Sequence, residues 1–372
     1  MLLQKVVPPV QKHREKPRNT FFFEFFILLS LLIFSYLLVG NMADNEVGKL
    51  MLAKQLISPD WLSNDWYLSQ PQKYQALFQI FFGQSIYNIG FLATSIIGRV
   101  IYYSLISLGL VLIAREIKLR LLGLVSAITL FLLSYQGMAI AGEWMIGSLE
   151  TKGFAYGFIF IAIWLAMKQR YVWMVASLGL ATSLHILVGG YATLTFAPWL
   201  LWKAFQTKSL NLRFLRSRTK TILLCTLIYG LTSLFATVAL INSLSGIVVV
   251  PDSELTPTYI YTFLRNSHHL TPTLWAKIRF PIIGVYLSTL YWCWQKIKNE
   301  KFDAHDNLTS KINGNRNRLL FLELTFFSLI PLFFGLGVSL FDTQGKILQY
   351  YPFRMTSTFP GKPIGLLMTV AS

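Results

Sequence analysis

Long apolar runs separated by short basic segments set the first constraint on this chain, because they recur at a length suited to a bilayer rather than to a water-soluble core. The first, Phe21 to Gly40, contains a single acid, Glu24, and has about the 20-residue length that carries an α-helix across hydrocarbon. Further runs cover Phe91 to Ala114, Leu121 to Ile140, Gly153 to Met167, Val172 to Trp202, Thr221 to Val250, Ile278 to Trp294 and Leu319 to Phe341. His185 and Gly189-Gly190 interrupt the run from Val172 to Trp202, which therefore reads as two helices joined by a short turn. The pattern predicts an all-α, polytopic membrane helix bundle of about nine spans over residues 21–357. Residues 358–372 form an apolar tail that reads as the truncated start of a tenth span, and residues 1–20 read as a basic cytoplasmic leader.

Composition supports the same solvent. A chain with 54% hydrophobic and only 13% charged residues has too little polar surface to cover itself in water, whereas lipid solvates apolar side chains on every helix face. The net charge of +17 does not indicate nucleic acid: the Lys and Arg lie between apolar runs and form no compact basic domain with stacking aromatics. Retention of basic loops in the cytoplasm explains them. With the N-terminus inside, residues 1–20, 115–120, 168–170, 203–220 and 295–318 hold 22 of the 33 Lys and Arg, which fixes the expected orientation. A rival division, with spans at Gln75 to Gly98 and Val100 to Ala114, would reverse every later loop and export the 203–220 cluster.

The leader lacks a short h-region and a small-residue cleavage site, so it does not read as a cleaved signal peptide. Cys225 and Cys293 fall near cytoplasmic span ends and suggest neither a disulfide nor a metal motif. The sequon at Asn307 falls on the same side and reads as accidental. Nucleotide-binding Gly loops, serine-hydrolase elbows and haem or iron–sulfur spacings are absent, and no internal repeat supports an inverted-repeat transporter.

Nine of the sixteen acids fall on the expected outer face: Asp44, Glu46, Asp60, Asp65, Glu143, Glu150, Asp252, Glu254 and Asp342. His185, His268 and His269 join them, and since acids are not sorted by topology, this gathering points to an outward-facing site. The outer loop, residues 41–90, carries two amphipathic stretches. In Glu46 to Ser58, Val47, Leu50, Met51 and Ile57 oppose Lys49 and Lys54, which suits an interfacial helix; Tyr74 to Asn88 is a second, Phe-rich one. Asp60 and Asp65, between them, have a plain alternative as turn and helix-cap residues. Arg99 falls about 12 Å into its span, where a guanidinium needs a phosphate or a carboxylate partner. His185 sits among apolar neighbours at a span end and faces either a site or a backbone carbonyl. Glu143, Glu150 and Lys152 occupy a short turn, with a solvated turn as the plain reading. Of the adjacent His268 and His269, one at a time can join a site. No metal spacing such as H-x-x-x-H or H-E-x-x-H is present, so cofactors are left unassigned with a divalent cation as an open alternative. Arg354 follows the ninth span on the outer side.

An N-terminal span followed at once by Asn41-Met42-Ala43-Asp44-Asn45-Glu46 and two interfacial helices resembles the C-type glycosyltransferase superfamily, polytopic enzymes that use lipid-phosphate-linked sugars. The resemblance implies that an acid of the first outer loop acts at the acceptor or on a metal, and by position the match falls on Asp44, then Asp65. More specifically, Pro59 to Asp65, Glu150-Thr151-Lys152-Gly153-Phe154-Ala155-Tyr156, His185 to Tyr191 and Arg265-Asn266-Ser267-His268-His269-Leu270-Thr271-Pro272 resemble a group of uncharacterised bacterial multi-pass proteins. Ser267 stands where that group is expected to have Pro.

The expectation is a bacterial plasma-membrane protein, glycosyltransferase-like, moving a sugar from a polyprenyl-phosphate carrier at the outer face. Asp44, Asp65 and His269 are its candidate catalytic residues, and Arg99, Lys152 and Arg354 its candidate lipid-phosphate ligands. Membrane lipids are the expected partners, and nucleic acid is not. A transporter or lipid flippase and a non-catalytic membrane subunit remain as alternatives.

Overall fold

The computed structural model describes residues 18–37, 42, 44–69, 75–133, 141, 144–206, 212–244, 255–275, 277, 279–299 and 308–354. Among these, every regular element is helical. The N-terminal helix α1 (Arg18–Leu32) runs on into a π-helical turn, Ile33–Leu37. Helices α2 (Asp44–Ile57) and α3 (Trp66–Ser69) precede α4 (Ala76–Glu116), the longest element. Next come α5 (Leu121–Leu133), α6 (Thr151–Met167), α7 (Tyr171–Leu184) and α8 (Ile186–Gln206). The C-terminal half has α9 (Leu212–Thr232), α10 (Leu234–Leu244), the short turns α11 (Pro257–Tyr259) and α12 (Ser267–Leu270), α13 (Arg279–Asn299), α14 (Leu308–Phe327) and α15 (Ile330–Val338).

The main core forms where α4 packs on α2 and α6, α6 on α7, and α7 on α8 and α9. Phe78, Tyr102, Tyr103, Ile106, Phe131, Tyr156, Ile159 and Phe196 are buried in it. A second cluster joins α13, α14 and α15 to the C-terminal loop through Tyr286, Leu332, Leu348 and Phe353. In α4 the usual polarity of a surface helix is reversed. Thr94, Ser95, Arg99, Tyr102 and Ser107 are buried, while Leu92, Ile96, Ile97 and Ile101 are exposed. Apolar side chains outside and polar ones inside suit a helix solvated by lipid rather than by water.

Two helical stretches among the described residues are long and apolar enough to cross a membrane, Ala76–Glu116 and Gly314–Val338, the second uniting α14 with α15. A third counts if Thr219–Thr232 and Leu234–Ile241, bent by 71° at their junction, form one broken span. Among the described residues the expected nine spans are therefore corrected to two or three. Helices α6 and α7 have 17 and 14 residues, and at 1.5 Å per residue they reach about 26 and 21 Å, short of a roughly 30 Å hydrocarbon core. Helices α8 and α13, of 21 residues each, are long enough but not apolar enough.

Of the Phe-rich stretch Tyr74 to Asn88, the part from Ala76 is continuous within α4 with the run from Phe91, divided by a kink at Gly90, and Tyr74 lies outside the described residues. Gly90 has φ 78° and ψ 173°, a region open to glycine alone at little cost. The part beyond it, to Glu116, extends about 39 Å. The leader up to residue 17 and the 358–372 tail lie outside the described residues.

Candidate functional site

The site is assembled at the end of the bundle where α2 meets the start of α6, the α7–α8 junction and the C-terminal loop. Its foundation is a buried ion pair. Glu46, fully buried on α2, accepts hydrogen bonds from Ser95 Oγ and from the Arg99 guanidinium, both one turn apart on α4. Arg99 Nε also approaches Glu46 Oε1 at 3.4 Å. A carboxylate of the 41–90 segment, Glu46, is thus the partner of Arg99, and the pair ties α2 to α4. The polar edge of α2 faces inward for this reason, and Val47, expected on the buried face, is partly exposed.

Lys49 follows Glu46 by three residues and so shares its helix face. Burial, then the charge of Arg354, lowers its pKa below the ordinary lysine value, with Glu150 acting in the opposite sense. These influences place Lys49, Glu150 and Arg354 within one electrostatic neighbourhood.

Glu150 is the residue before the first turn of α6, in extended backbone, and its carbonyl accepts from Gly153 N–H. The preceding loop is pinned by two hydroxyls of α4: Tyr102 and Tyr103 both donate to the Gly147 carbonyl, Tyr103 at 2.6 Å, and Gly147 N–H donates back to Tyr102 at 3.0 Å. Lys152 Nζ lies 3.6 Å from Glu150 Oε2 and 3.6 Å from the centre of the Trp144 ring. Glu150 and Lys152 are both buried, so this segment is not a solvated turn. Residues two apart on an ideal helix diverge, but Glu150 precedes the helix, and its extended conformation lets the two side chains meet. Glu150 Oε1 is buried with no hydrogen-bond partner among the described residues.

His185 breaks the backbone between α7 and α8, with φ −148° and ψ 100°. Its Nε2 lies 3.1 Å from Arg354 Nη1. Val188 N–H approaches the other ring nitrogen, Nδ1, at 3.3 Å; a neutral imidazole accepts at one nitrogen only, and the shorter contact, from a guanidinium that can only donate, assigns that role to Nε2. Burial, then the positive charges of Arg354, Lys152 and Lys49, hold its pKa well below the ordinary imidazole value. The same Arg354 lies over the Tyr351 ring, 4.3 Å from its centre. Tyr191 of α8 donates to the Tyr350 carbonyl at 2.7 Å and holds the loop in place. Upstream, the Asp342 carboxylate shapes that loop by accepting from the backbone N–H of Lys346, Ile347 and Leu348 at 2.8 to 2.9 Å.

The contacts are pairwise, Lys152 with Glu150 and Arg354 with His185, and mutual electrostatic influence links these pairs and Lys49 across four separate stretches of chain. Three cations against one carboxylate leave an excess of positive charge among the described residues. Such a group can hold an anionic ligand, and Glu150 Oε1 can accept a proton from a neutral one.

The other candidates are placed differently. Asp65 is exposed, and its Oδ1 accepts from Leu68 N–H at 2.9 Å as the cap of α3. Asp44 is the first residue of α2. His269 Nδ1 donates to the Ala141 carbonyl at 2.6 Å, and its ring lies 6.1 Å from that of Tyr351. His268, exposed, stacks against His269 at 3.9 Å. Glu143, Asp252 and Glu254 lie outside the described residues, as does the side chain of Asp44. Lys49, read from sequence as part of a solvated face, is the site residue that sequence reasoning passed over. Its i,i+3 relation to Glu46 was the available signal. Among the described residues, no three His, Cys, Asp or Glu side chains are grouped so as to hold a metal ion.

Comparison with known proteins finds no matching family model, no matching curated protein and no matching solved structure.

Proposed function

We propose that this chain is a membrane enzyme of glycosyltransferase type, which binds a lipid-phosphate-linked sugar at the Lys49, Lys152 and Arg354 cluster. The observations that carry the reading are the contacts of buried Lys152 with Glu150 and of half-buried Arg354 with His185, with Lys49 within electrostatic reach of both. A phosphate leaving group needs positive charge held ready before the bond breaks, and cations held in place by such partners supply it with little reorganisation. In the proposed step the acceptor oxygen forms a bond to the sugar's anomeric carbon while the bond from that carbon to the phosphate oxygen breaks. The phosphate keeps the electron pair, and Glu150 Oε1 takes the acceptor's proton. His185, fixed by Arg354, positions the guanidinium. The apolar outer surface of α4 supplies the lipid contact that a membrane-borne donor requires.

The test is replacement of Lys152 by Ala, Arg354 by Ala and Glu150 by Gln in the full chain in its native host, followed by analysis of lipid-linked sugars and cell-surface glycans. Loss of one glycan with accumulation of its lipid-linked donor is the expected result for all three, at normal protein levels. Unchanged glycans and donor pools in all three variants would overturn the reading.

A further inference from the structure

A second site lies at the opposite end of α8. His185 adjoins the start of this helix, and Trp202 lies about 25 Å further along it at 1.5 Å per residue. Here α8, α13 and α14 enclose a cavity of about 510 Å³ that the proposed chemistry does not use. Leu287, Leu290, Phe326 and Phe327 line it together with the indoles of Trp202 and Trp294. Its acid, Glu323, is already satisfied: Trp199 Nε1–H donates to Oε2 at 3.0 Å and Lys203 Nζ to Oε1 at 2.6 Å. The carboxylate therefore neither calls for a cationic ligand nor leaves a charge exposed to an apolar one.

The margin of the cavity carries an exposed lysine: Lys298 Nζ lies 4.9 Å from the centre of the ring of Trp294, which lines the cavity. Lys296 sits on the opposite face of α13, over Trp292. An apolar, aromatic interior of this size accommodates a small molecule and not a protein helix. One wall belongs to Gly314–Val338, a stretch able to cross a membrane, so the cavity adjoins the hydrocarbon region, and Trp side chains mark its headgroup level.

We propose that this cavity is a binding site for an anionic phospholipid, one acyl chain lying against Leu287, Leu290 and Phe326 and the phosphate reaching Lys298. The site is independent of the cation cluster at the other end of α8, so failure of either reading leaves the other standing. The aromatic walls select the chain, and the lysine selects the headgroup, favouring an anionic lipid by roughly fivefold.

The experiment uses the full chain, purified and delipidated in detergent, with phosphatidylglycerol or phosphatidylcholine added back and binding read by native mass spectrometry. One phosphatidylglycerol is expected to bind per chain in preference to phosphatidylcholine. Leu287→Trp, which fills the cavity, should abolish that bound lipid. Lys298→Glu, altering an exposed side chain, should weaken phosphatidylglycerol at least about fivefold and leave phosphatidylcholine unchanged. Equal binding of the two lipids, no bound lipid, or a Lys298→Glu variant that retains full preference would each overturn the proposal, whether or not Leu287→Trp folds.

Discussion

At the scale of single residues, the buried charges decide most. Glu46 and Arg99 are nearly or wholly excluded from solvent, so removing one partner leaves the other charged in an apolar setting. Arg99→Met should destabilise the protein by about 3–5 kcal/mol, and Glu46→Leu/Arg99→Leu should cost clearly less than either single change. Thermal unfolding of the three variants in one detergent checks this; a double variant worse than both singles would count against a compensated pair. Lys49 gives a pH dependence. Because its folded pKa lies below the unfolded value of 10.5, the unfolded state binds more protons between those two values. Stability therefore rises with pH across that window, and below it the cost of burying the ammonium is present in full. Lys49→Met removes this contribution and should flatten the unfolding temperature against pH in the same window; an unchanged slope would refute it. Asp342 has the opposite sign. Burial raises its pKa, but hydrogen bonds from the backbone N–H of Leu348, Ile347, Lys346 and Gly345 outweigh that and hold it below the ordinary value. Its contribution is present above the ordinary carboxylate pKa and is lost as pH falls through the lowered one. Asp342→Asn should loosen the loop leading to Arg354 and raise hydrogen exchange over 345–354 at neutral pH.

At the scale of helices, the site depends on how closely α2 approaches α4. A Cβ on Gly83 would lie 2.2 Å from the Ala53 carbonyl oxygen, so the two backbones are as near as a glycine permits. Gly83→Ala must push α2 outward, carrying Glu46 and Lys49 away from Arg99 and Glu150. The expected cost is about 1–3 kcal/mol, together with faster hydrogen exchange over 44–57 and loss of the Lys49 pH effect. Unaltered exchange in that segment would show that the helices can adjust around the new methyl group. The kink at Gly90 acts on the same geometry from the other direction, since it lets the first part of α4 follow α2 while the remainder runs on as a candidate span.

For the molecule as a whole, the orientation proposed from the basic segments places Lys220 inside and Asp65 outside. With Cys225 and Cys293 changed to Ser, Lys220→Cys should resist an impermeant thiol reagent in intact cells, and Asp65→Cys should react. The reverse pattern would invert the orientation and move the Glu150 cluster to the cytoplasmic side, where a different set of substrates is presented.

Helicity and the apolar character of the chain are legible in the sequence because both rest on local composition and on runs that repeat at the helical period. That Arg99 needs a compensating partner was legible too, since a guanidinium among apolar residues is costly wherever the helix packs. Which helices cross was not legible, because burial against protein and burial in lipid demand the same apolar side chains; the lengths of α6 and α7 separate those two from the candidate spans. The sequence alone also could not decide which acid meets which base. Glu46 and Arg99 are 53 positions apart, and His185 and Arg354 are 169 apart, and no local rule couples such distances. Tertiary packing chose those partners because a charge removed from solvent is stable only where a complementary charge or dipole is already held in place.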